Sequence, residues 1–427
     1  MRKPFLPLLA VSLTLAACAS GTVPPPGATP SPASPYPRTS VVPKPAEIPV
    51  TAGSELPAPR IVLAESNGID TRDSQTGELL SFMRRAGTSV LSNSGDSQYV
   101  IYTEADQFGV FATGLQAFGN DDGIHYHGDT PLLTSIFYPA PQAGHVVTNL
   151  GVTTFFANGT GQASAIEVGS LGNPTGALPP LQAQSPHVGF AVWVGGDFLL
   201  TQGDRSGATG VQVIRDGQPV GEVVDCPQAQ PGTAGAETDH GSVYVVGCRG
   251  AFLLYQAGEL YRFTLPQSAA AAQLTDLVGS DSSPWVLARV ASGAAQTTTL
   301  ALIDIRDASL KLLELPAAAS AQTLARGPNG EGLVLTSDGQ LLILDPERAT
   351  IVDQIPVFST ATGAQPPDAP IVQARRDLAF LLSPLRDEVV VLDIPTRTIK
   401  NRLALVGEII DMEVADPVDI TSMPVFE

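Results

Sequence analysis

The sequence predicts an all-β protein, for two reasons. Short apolar segments rich in Val, Leu and Thr alternate with turns along most of the chain, and glycine accounts for 41 of the 427 residues. Charged residues make up only 15% of the chain, and no long stretch has the 3.6-residue apolar period of an amphipathic helix. These features are typical of many short strands joined by tight turns.

A repeated pattern indicates how the strands are grouped. Apolar strands end in Asp304, Asp345 and Asp393, which lie 41 and 48 residues apart, and each is followed by a turn and another apolar strand. Asp accepts hydrogen bonds within its own turn, so it is expected at such strand ends. This pitch matches a four-stranded blade and predicts a single β-propeller of about seven blades. A β-sandwich array explains the pitch less well. The strand Arg60–Glu65 is expected to complete the last blade and close the ring.

Residues 1–17 resemble the signal peptide of a bacterial lipoprotein. Arg2 and Lys3 precede an apolar segment, and Leu15-Ala16-Ala17-Cys18 forms a lipobox. Cleavage would leave Cys18 as the lipidated first residue, because small residues precede the cut. We therefore expect a membrane-anchored protein of the cell envelope that faces the periplasm or the exterior. The absence of Asp after Cys18 favours the outer membrane in a didermic cell.

Residues 18–59 contain the lipidated Cys18 and a proline-rich tether, with twelve prolines between Pro24 and Pro59. Such a segment buries too little apolar surface to offset its ordering entropy, so it is predicted to be a disordered linker. Since no second linker follows, residues 60–427 are expected to form one domain. The formal net charge of −19 argues against nucleic acid as a partner and is compatible with the capture of cations.

Cys226 and Cys248 are the two cysteines that remain after Cys18. In an exported protein, two thiols 22 residues apart in a strand-rich region predict a structural disulfide. The alternative is a pair of soft zinc ligands.

The histidines indicate a metal site. All five lie between residues 125 and 240, and His125 and His127 are two residues apart, which places them on one face of an extended segment. Imidazole and carboxylate oxygen are zinc ligands, so His125, His127 and Asp129 are candidates, with His145 and His187 at nearby strand starts. Glu237 and His240 are alternative ligands or partners of the ligands. The competing interpretation of the first segment is a solvated loop.

The chain resembles the AztD-type periplasmic zinc metallochaperones, which are β-propellers that pass zinc to the solute-binding protein of a zinc ABC importer. The resemblance rests on ordered segments: His125-Tyr126-His127-Gly128-Asp129, Gly144–Val147, Phe155–Gly161, Pro186–Val192, Cys226-Pro227, Gly235-Ala236-Glu237 and Gly247–Gly250. It implies a propeller fold, zinc as the cargo and the solute-binding protein as a partner. The chain is a divergent example, since Gly235 replaces a family His, Pro186 precedes a single His187, and the leader is proline-rich instead of His-rich.

An enzyme is not expected. The sequence has no G-x-S-x-G segment, no phosphate-binding loop and no His-Glu-x-x-His segment. Two functions remain. One is a lipid-anchored zinc-binding protein that buffers zinc or delivers it to an importer. The alternative is a non-catalytic propeller scaffold that binds a protein partner in the cell envelope.

Overall fold

Eight four-stranded antiparallel sheets follow one another in the described part of the chain. The computed structural model describes Ser40, 56–85, 87, 90–120, 123–236, 238–239, 241–293, 297–316, 319–359 and 369–418. The predicted signal peptide, Cys18 and most of the predicted tether lie outside these residues. The all-β prediction is confirmed, since three short 3-10 helices, Val168–Ser170, Pro174–Gly176 and Gln267–Ala269, are the helices of the described residues.

The strands are grouped by blade in chain order. Blade 1 contains β1 (Arg60–Glu65), β2 (Gly68–Asp73) and β3 (Leu79–Arg84). Blade 2 contains β4 (Val90–Asn93), β5 (Tyr99–Thr103), β6 (Gln107–Ala112) and β9 (Leu132–Pro139), and a separate hairpin, β7 (Leu115–Asn120) and β8 (Gly123–Gly128), is inserted before β9. Blade 3 contains β10 (Ala143–Asn149), β11 (Val152–Ala157), β12 (Gln162–Glu167) and β13 (Leu181–Gln182). Blade 4 contains β14 (Ala191–Val194), β15 (Asp197–Asp204), β16 (Gly207–Arg215) and β17 (Gln218–Asp225).

The remaining blades follow the same plan. Blade 5 contains β18 (Gln230–Ala234), β19 (Tyr244–Cys248), β20 (Ala251–Gln256) and β21 (Glu259–Thr264). Blade 6 contains β22 (Gln273–Ser280), β23 (Ser283–Ala291), β24 (Thr299–Asp304) and β25 (Ser309–Glu314). Blade 7 contains β26 (Ala321–Arg326), β27 (Gly332–Thr336), β28 (Gln340–Asp345) and β29 (Thr350–Pro356). Blade 8 contains β30 (Ile371–Arg375), β31 (Leu378–Leu382), β32 (Glu388–Asp393) and β33 (Thr398–Ala404), and the last strand, β34 (Ile409–Ala415), returns to blade 1.

The propeller therefore has eight blades, and the prediction of about seven is wrong. The prediction divided the chain into units that were too long. The first strands of blades 4, 5 and 6 begin at Ala191, Gln230 and Gln273, only 39 and 43 residues apart. The shorter blades leave room for one more repeat.

The aspartates of the repeat occupy equivalent places. Asp304, Asp345 and Asp393 end the third strands of blades 6, 7 and 8. The carboxylate of Asp345 accepts a hydrogen bond from the backbone N–H of Arg348 at 3.0 Å, and that of Asp393 accepts one from the N–H of Thr396 at 2.9 Å. The predicted turn chemistry is confirmed, and the three aspartates mark the same position in successive blades.

The ring is closed by strands from both ends of the folded chain. β1 pairs antiparallel with β34, and the register places Arg60 opposite Ala415 and Leu63 opposite Met412. The prediction that Arg60–Glu65 takes part in closing the ring is confirmed, but it does not complete the last blade, because blade 8 has four strands of its own and β34 instead completes blade 1. The C-terminal strand supplies the innermost position, and the N-terminal strands supply the outer three.

The core lies between neighbouring blades. Central strands such as β1, β11, β20 and β27 are buried along their whole length, whereas the outermost strands alternate between exposed and partly buried residues. This burial explains why the central strands appear in the sequence as continuous apolar runs. One cluster joins blades 8 and 1 through Phe380, Val389, Ile61, Leu63 and Val414, so the closing blade shares an apolar core with its neighbour.

The predicted disulfide is present. Cys226, directly after β17, is bonded to Cys248 at the end of β19, and both residues are completely buried. The bond links blades 4 and 5. None of the helices among the described residues has the length and apolar character needed to cross a membrane.

Candidate metal-binding hairpin

The inserted hairpin in blade 2 carries the His-x-His segment. β7 and β8 form a separate two-stranded sheet in which Phe118 lies opposite His125 and Gln116 opposite His127. The hairpin connects β6 to β9, so it extends from the connection between the third and fourth strands of its blade. Its extended conformation places His125 and His127 on the same side of β8, because alternate residues of a strand share a face.

His127 and Asp129 lie close together at the end of β8. The Nε2 atom of His127 is 3.3 Å from the Oδ1 atom of Asp129, and the two side chains are 60% and 58% exposed. The backbone N–H of Asp129 donates to the carbonyl oxygen of Gly114 at 2.6 Å. The backbone is therefore anchored while the carboxylate is accessible, so the pair offers a nitrogen and an oxygen to a ligand in solvent.

His125 is held against an aromatic ring. Its imidazole stacks on Phe118 with the ring centroids 5.6 Å apart and the planes inclined by 19°. Phe118 itself is 55% exposed. The stack limits the rotamers of His125 and keeps it on the hairpin surface. The hairpin tip, Asp121 and Asp122, lies outside the described residues.

Arg60 supports the hairpin base from blade 1. Its Nη1 atom donates to the carbonyl oxygens of Thr113 and Asp129, which flank the two strands of the hairpin. Burial lowers the pKa of the Arg60 guanidinium, and the carboxylates of Asp73 and Asp129 oppose this shift. The sequence pattern did not identify Arg60, because it stands in a strand far from the histidines in sequence.

His145 lies at the opposite end of the propeller. It is on the first strand of blade 3, and its Nδ1 atom is 2.9 Å from the carbonyl oxygen of Gly189. A carbonyl oxygen only accepts hydrogen bonds, so Nδ1 carries the proton and, in the neutral ring, Nε2 carries the lone pair. This is the tautomer that a metal ligand uses when its second nitrogen is held by the protein.

His187 is a buried side chain between blades 3 and 4. Only 4% of it is exposed, its Nδ1 atom is 2.9 Å from the carbonyl oxygen of Ser185, and its Nε2 atom is 3.0 Å from the Oγ1 atom of Thr201. Phe156 packs against the ring edge-on at 5.2 Å. Both ring nitrogens have protein partners, so binding of a metal here requires the loss of a hydrogen bond.

The predicted ligands do not converge on one rim of the channel. Strand direction alternates within each blade, so the connection that carries the hairpin opens at the end opposite to the connections that precede His145 and His187. Among the described residues, no three His, Cys, Asp or Glu side chains come together as a metal site. The structure brings His127 and Asp129 together, with His125 on the same strand face. Glu237 and His240 lie outside the described residues.

A polar network on the closing strand was also missed by sequence reasoning. Glu413 of β34 accepts hydrogen bonds from Arg375 at 2.9 Å, from Gln373 at 3.0 Å and from Asn93 at 3.4 Å. Burial raises the pKa of Glu413, and the charge of Arg375 opposes the shift. These partners come from blades 8 and 2, so the network joins the closing strand to both neighbours. Its hydrogen bonds indicate a structural role.

Solved structures with the same architecture exist. The crystal structure of AztD from Citrobacter koseri matches with a TM-score of 0.70 and 17% identity, over 84% of this chain and 97% of that chain. Its apo structure matches with the same score and identity. The dihydro-heme d1 dehydrogenase NirN in complex with DHE matches with a TM-score of 0.52 and 11% identity, over 93% of this chain and 84% of that chain. No protein-family model and no curated protein matches the sequence. This chain therefore shares the β-propeller fold of AztD.

Proposed function

We propose that this protein is a lipid-anchored, extracytoplasmic zinc-binding propeller that buffers zinc or passes it to the solute-binding protein of an ABC importer. The observation that carries the proposal is the exposed hairpin on which His127 and Asp129 lie 3.3 Å apart, with His125 on the same strand face. The AztD-type fold and the ordered sequence resemblance support zinc as the cargo.

The side chains of the hairpin have suitable chemistry for this cargo. Zinc accepts imidazole nitrogen and carboxylate oxygen in a four-ligand shell. His127 and Asp129 would supply two ligands as they are placed, His125 would supply a third once its ring turns away from Phe118, and solvent would complete the shell. Because His127 and Asp129 are more than half exposed, a partner protein has direct access to the ion. Such a site is suited to transfer, since ligands of the partner can replace those of the hairpin one at a time.

His145 is a separate proposed ligand. Its Nε2 lone pair is left available by the hydrogen bond from Nδ1 to Gly189, but it lies at the other end of the propeller. We assign it a second, weaker contact with zinc, independent of the hairpin. His187 contributes mainly to packing in this proposal, because both of its ring nitrogens have partners.

The proposal also covers the location of the protein in the cell and whether it is an enzyme. A lipobox ending at Cys18 supports anchoring in the cell envelope, and the formal charge of −19 disfavours nucleic acid as a partner. We propose that the protein is not an enzyme, although the structurally similar NirN is named as a dehydrogenase.

Isothermal titration of zinc into the purified protein tests the proposal. The expected result is about one zinc ion per chain at the hairpin, with affinity reduced at least about tenfold, or about 1.4 kcal/mol, by His127→Ala. His125→Ala should weaken binding in the same direction. His145→Ala is the matched control at the opposite end and should leave the hairpin affinity unchanged. A wild-type protein that binds no zinc would refute the proposal and favour the scaffold alternative.

A further inference from the structure

Arg60 lies where the strands that close the ring contact the hairpin that carries His125 and His127. It is the first residue of β1, it is only 8% exposed, and its backbone lies between Asp73 of β2 and Ala415 of β34. Its side chain reaches into blade 2. One guanidinium nitrogen, Nη1, donates to the carbonyl oxygens of both Thr113 and Asp129. Thr113 lies just before β7 and Asp129 directly after β8, so Arg60 bridges the two chain segments of the hairpin base.

The packing around this guanidinium is close. A Cβ atom added to Gly114 would clash with Nη1 of Arg60 and with the carbonyl oxygen of Asp129. Gly114 also has a φ of +77°, a conformation that favours glycine. A Cβ atom added to Gly128 would lie 3.1 Å from Nη2 of Arg60. Gly114, just before β7, therefore leaves the space that the Arg60 guanidinium occupies, and Gly128, at the end of β8, adds to it.

A second arginine, Arg376, holds the closure through hydrogen-bond partners that lie outside the hairpin. Arg376 donates from Nε to the Oδ1 atom of Asp416 at 3.0 Å, and from Nη2 to the carbonyl oxygen of Pro57 at 3.2 Å. Asp416 follows β34 and Pro57 precedes β1. Arg376 therefore ties together the two ends that form blade 1. It is a matched control for Arg60, because it shares the closure and lacks the contacts to Thr113 and Asp129.

We propose that Arg60 is a positioning residue that sets the orientation of the hairpin, and with it the placement of His125, His127 and Asp129, by coupling the hairpin base to ring closure. This positioning role follows from the contacts of the guanidinium and does not rest on the proposed function. Its consequence for zinc rests on the proposed function. An uncharged Arg60 variant removes both hydrogen bonds and leaves two carbonyl oxygens at the hairpin base without this donor. Lys at this position retains the charge and the donors on a shorter, more flexible stem, so it should restore part of the effect.

The test compares the wild-type protein with Arg60→Met, Arg60→Lys and Arg376→Met. Selective isotope labelling of histidine gives ring signals from only five residues, so each can serve as a local reporter. In Arg60→Met, the signals of His125 and His127 should shift and broaden, whereas those of His145 and His187 should be unchanged. Amide hydrogen exchange within residues 115–128 should become at least about tenfold faster, with no change in blade 4. The ring signals and exchange rates of Arg60→Lys should lie between those of the wild-type protein and those of Arg60→Met.

The control and the zinc measurement separate the possible outcomes. Arg376→Met should lower the unfolding midpoint while the hairpin signals stay at their wild-type positions. Zinc affinity should fall about tenfold in Arg60→Met if the hairpin binds the ion. If the wild-type protein binds no zinc, the proposed function fails, but the ring signals and hydrogen exchange still decide the role of Arg60. Histidine ring signals and amide hydrogen exchange of the hairpin that stay unchanged in both Arg60 variants would overturn the inference. Equal changes at all described histidines, or the same hairpin changes in Arg376→Met, would also overturn it. Should Arg60→Met fail to fold, Arg60→Lys provides the same comparison.

Discussion

The Nε2 atom of His127 lies 3.3 Å from the Oδ1 atom of Asp129, and both side chains are more than half exposed. An exposed pair of this kind contributes only about 0–1 kcal/mol to stability. The pair is therefore not needed to hold the hairpin, whose base is fixed by backbone hydrogen bonds and by Arg60. Side chains that contribute little to folding are free to serve a ligand, and this arrangement leads to the first prediction.

Asp129→Asn should weaken zinc binding about tenfold without lowering stability. The amide keeps the shape of the side chain but loses the negative charge, and the anchoring contacts of residue 129 use its backbone. Zinc titration and chemical unfolding measure the two effects separately. Gln116→Ala, across the hairpin from His127, is the control and should change neither quantity. Wild-type zinc affinity in Asp129→Asn would exclude this carboxylate as a ligand.

His187→Ala should destabilise the protein by about 2–4 kcal/mol, because it removes a buried ring and leaves buried polar partners unsatisfied. Zinc binding at the hairpin should be unchanged. His145→Ala is the comparison: its ring is only partly buried and makes one hydrogen bond to Gly189, so the cost should be about 1 kcal/mol. Urea unfolding provides both values. A stable His187→Ala protein that has lost zinc binding would show that His187 is a ligand after all.

Asp96 should make the free energy of unfolding change with pH in the mildly acidic range. Burial raises the pKa of its carboxyl from 3.8 to about 6, although hydrogen bonds from Ser94 and Tyr99 oppose the shift. Because the pKa is higher in the folded state, the folded protein binds this proton more tightly than the unfolded chain. The stabilising contribution is complete below the unfolded pKa and is lost as the pH rises through about 6. The free energy of unfolding, measured at a series of pH values, should decline as the pH rises from 3.8 to about 6.

Asp96→Asn supplies the control for that pH dependence. Asn has no proton to release in this range but keeps an oxygen that accepts the backbone N–H groups of Gln98 and Tyr99. The contribution of this site to the slope should disappear in the variant. An identical slope in both proteins would assign the dependence to other groups.

Reduction of the bond between Cys226 and Cys248 should lower the free energy of unfolding by about 3 kcal/mol, since the disulfide restricts the unfolded chain. Both cysteines are fully buried, so the bond should resist mild reductant until the protein unfolds. Denaturant unfolding with and without reductant measures the difference. The double variant Cys226→Ala/Cys248→Ala should match the reduced protein. Two thiols that react with an alkylating reagent in the folded, unreduced protein would contradict the disulfide.

Cys18→Ser should leave the protein unprocessed or release it from the membrane fraction, because the serine cannot carry the lipid. Fractionation of cells and the mass of the N-terminal peptide are the measurements. Ser20→Ala, two residues further on, preserves the lipobox and should behave as wild type. Normal cleavage together with unchanged membrane partitioning in Cys18→Ser would disprove the lipobox interpretation, which concerns residues outside the described part of the chain.

The repeat was readable from the sequence because it is made of local chemistry. Asp345 and Asp393 end equivalent strands, and each carboxylate accepts hydrogen bonds from its own turn. Apolar runs predicted the central strands of blades, since these strands are buried on both faces. Cys226 and Cys248 are 22 residues apart in a strand-rich region, so the expectation of export was enough to predict the disulfide that the structure contains.

Other features were decided by the tertiary structure alone. The number of blades depends on how the twist and packing of successive sheets accumulate around the ring. A local sequence pattern therefore does not give the number of blades. Likewise, His125 and His145 are only 20 residues apart in sequence, yet the hairpin opens at one end of the propeller and His145 lies at the other. Their separation follows from which strand connection carries the insertion. Arg60 contacts Asp129 only because strands from both ends of the folded chain meet in blade 1, a pairing that exists after the ring has closed.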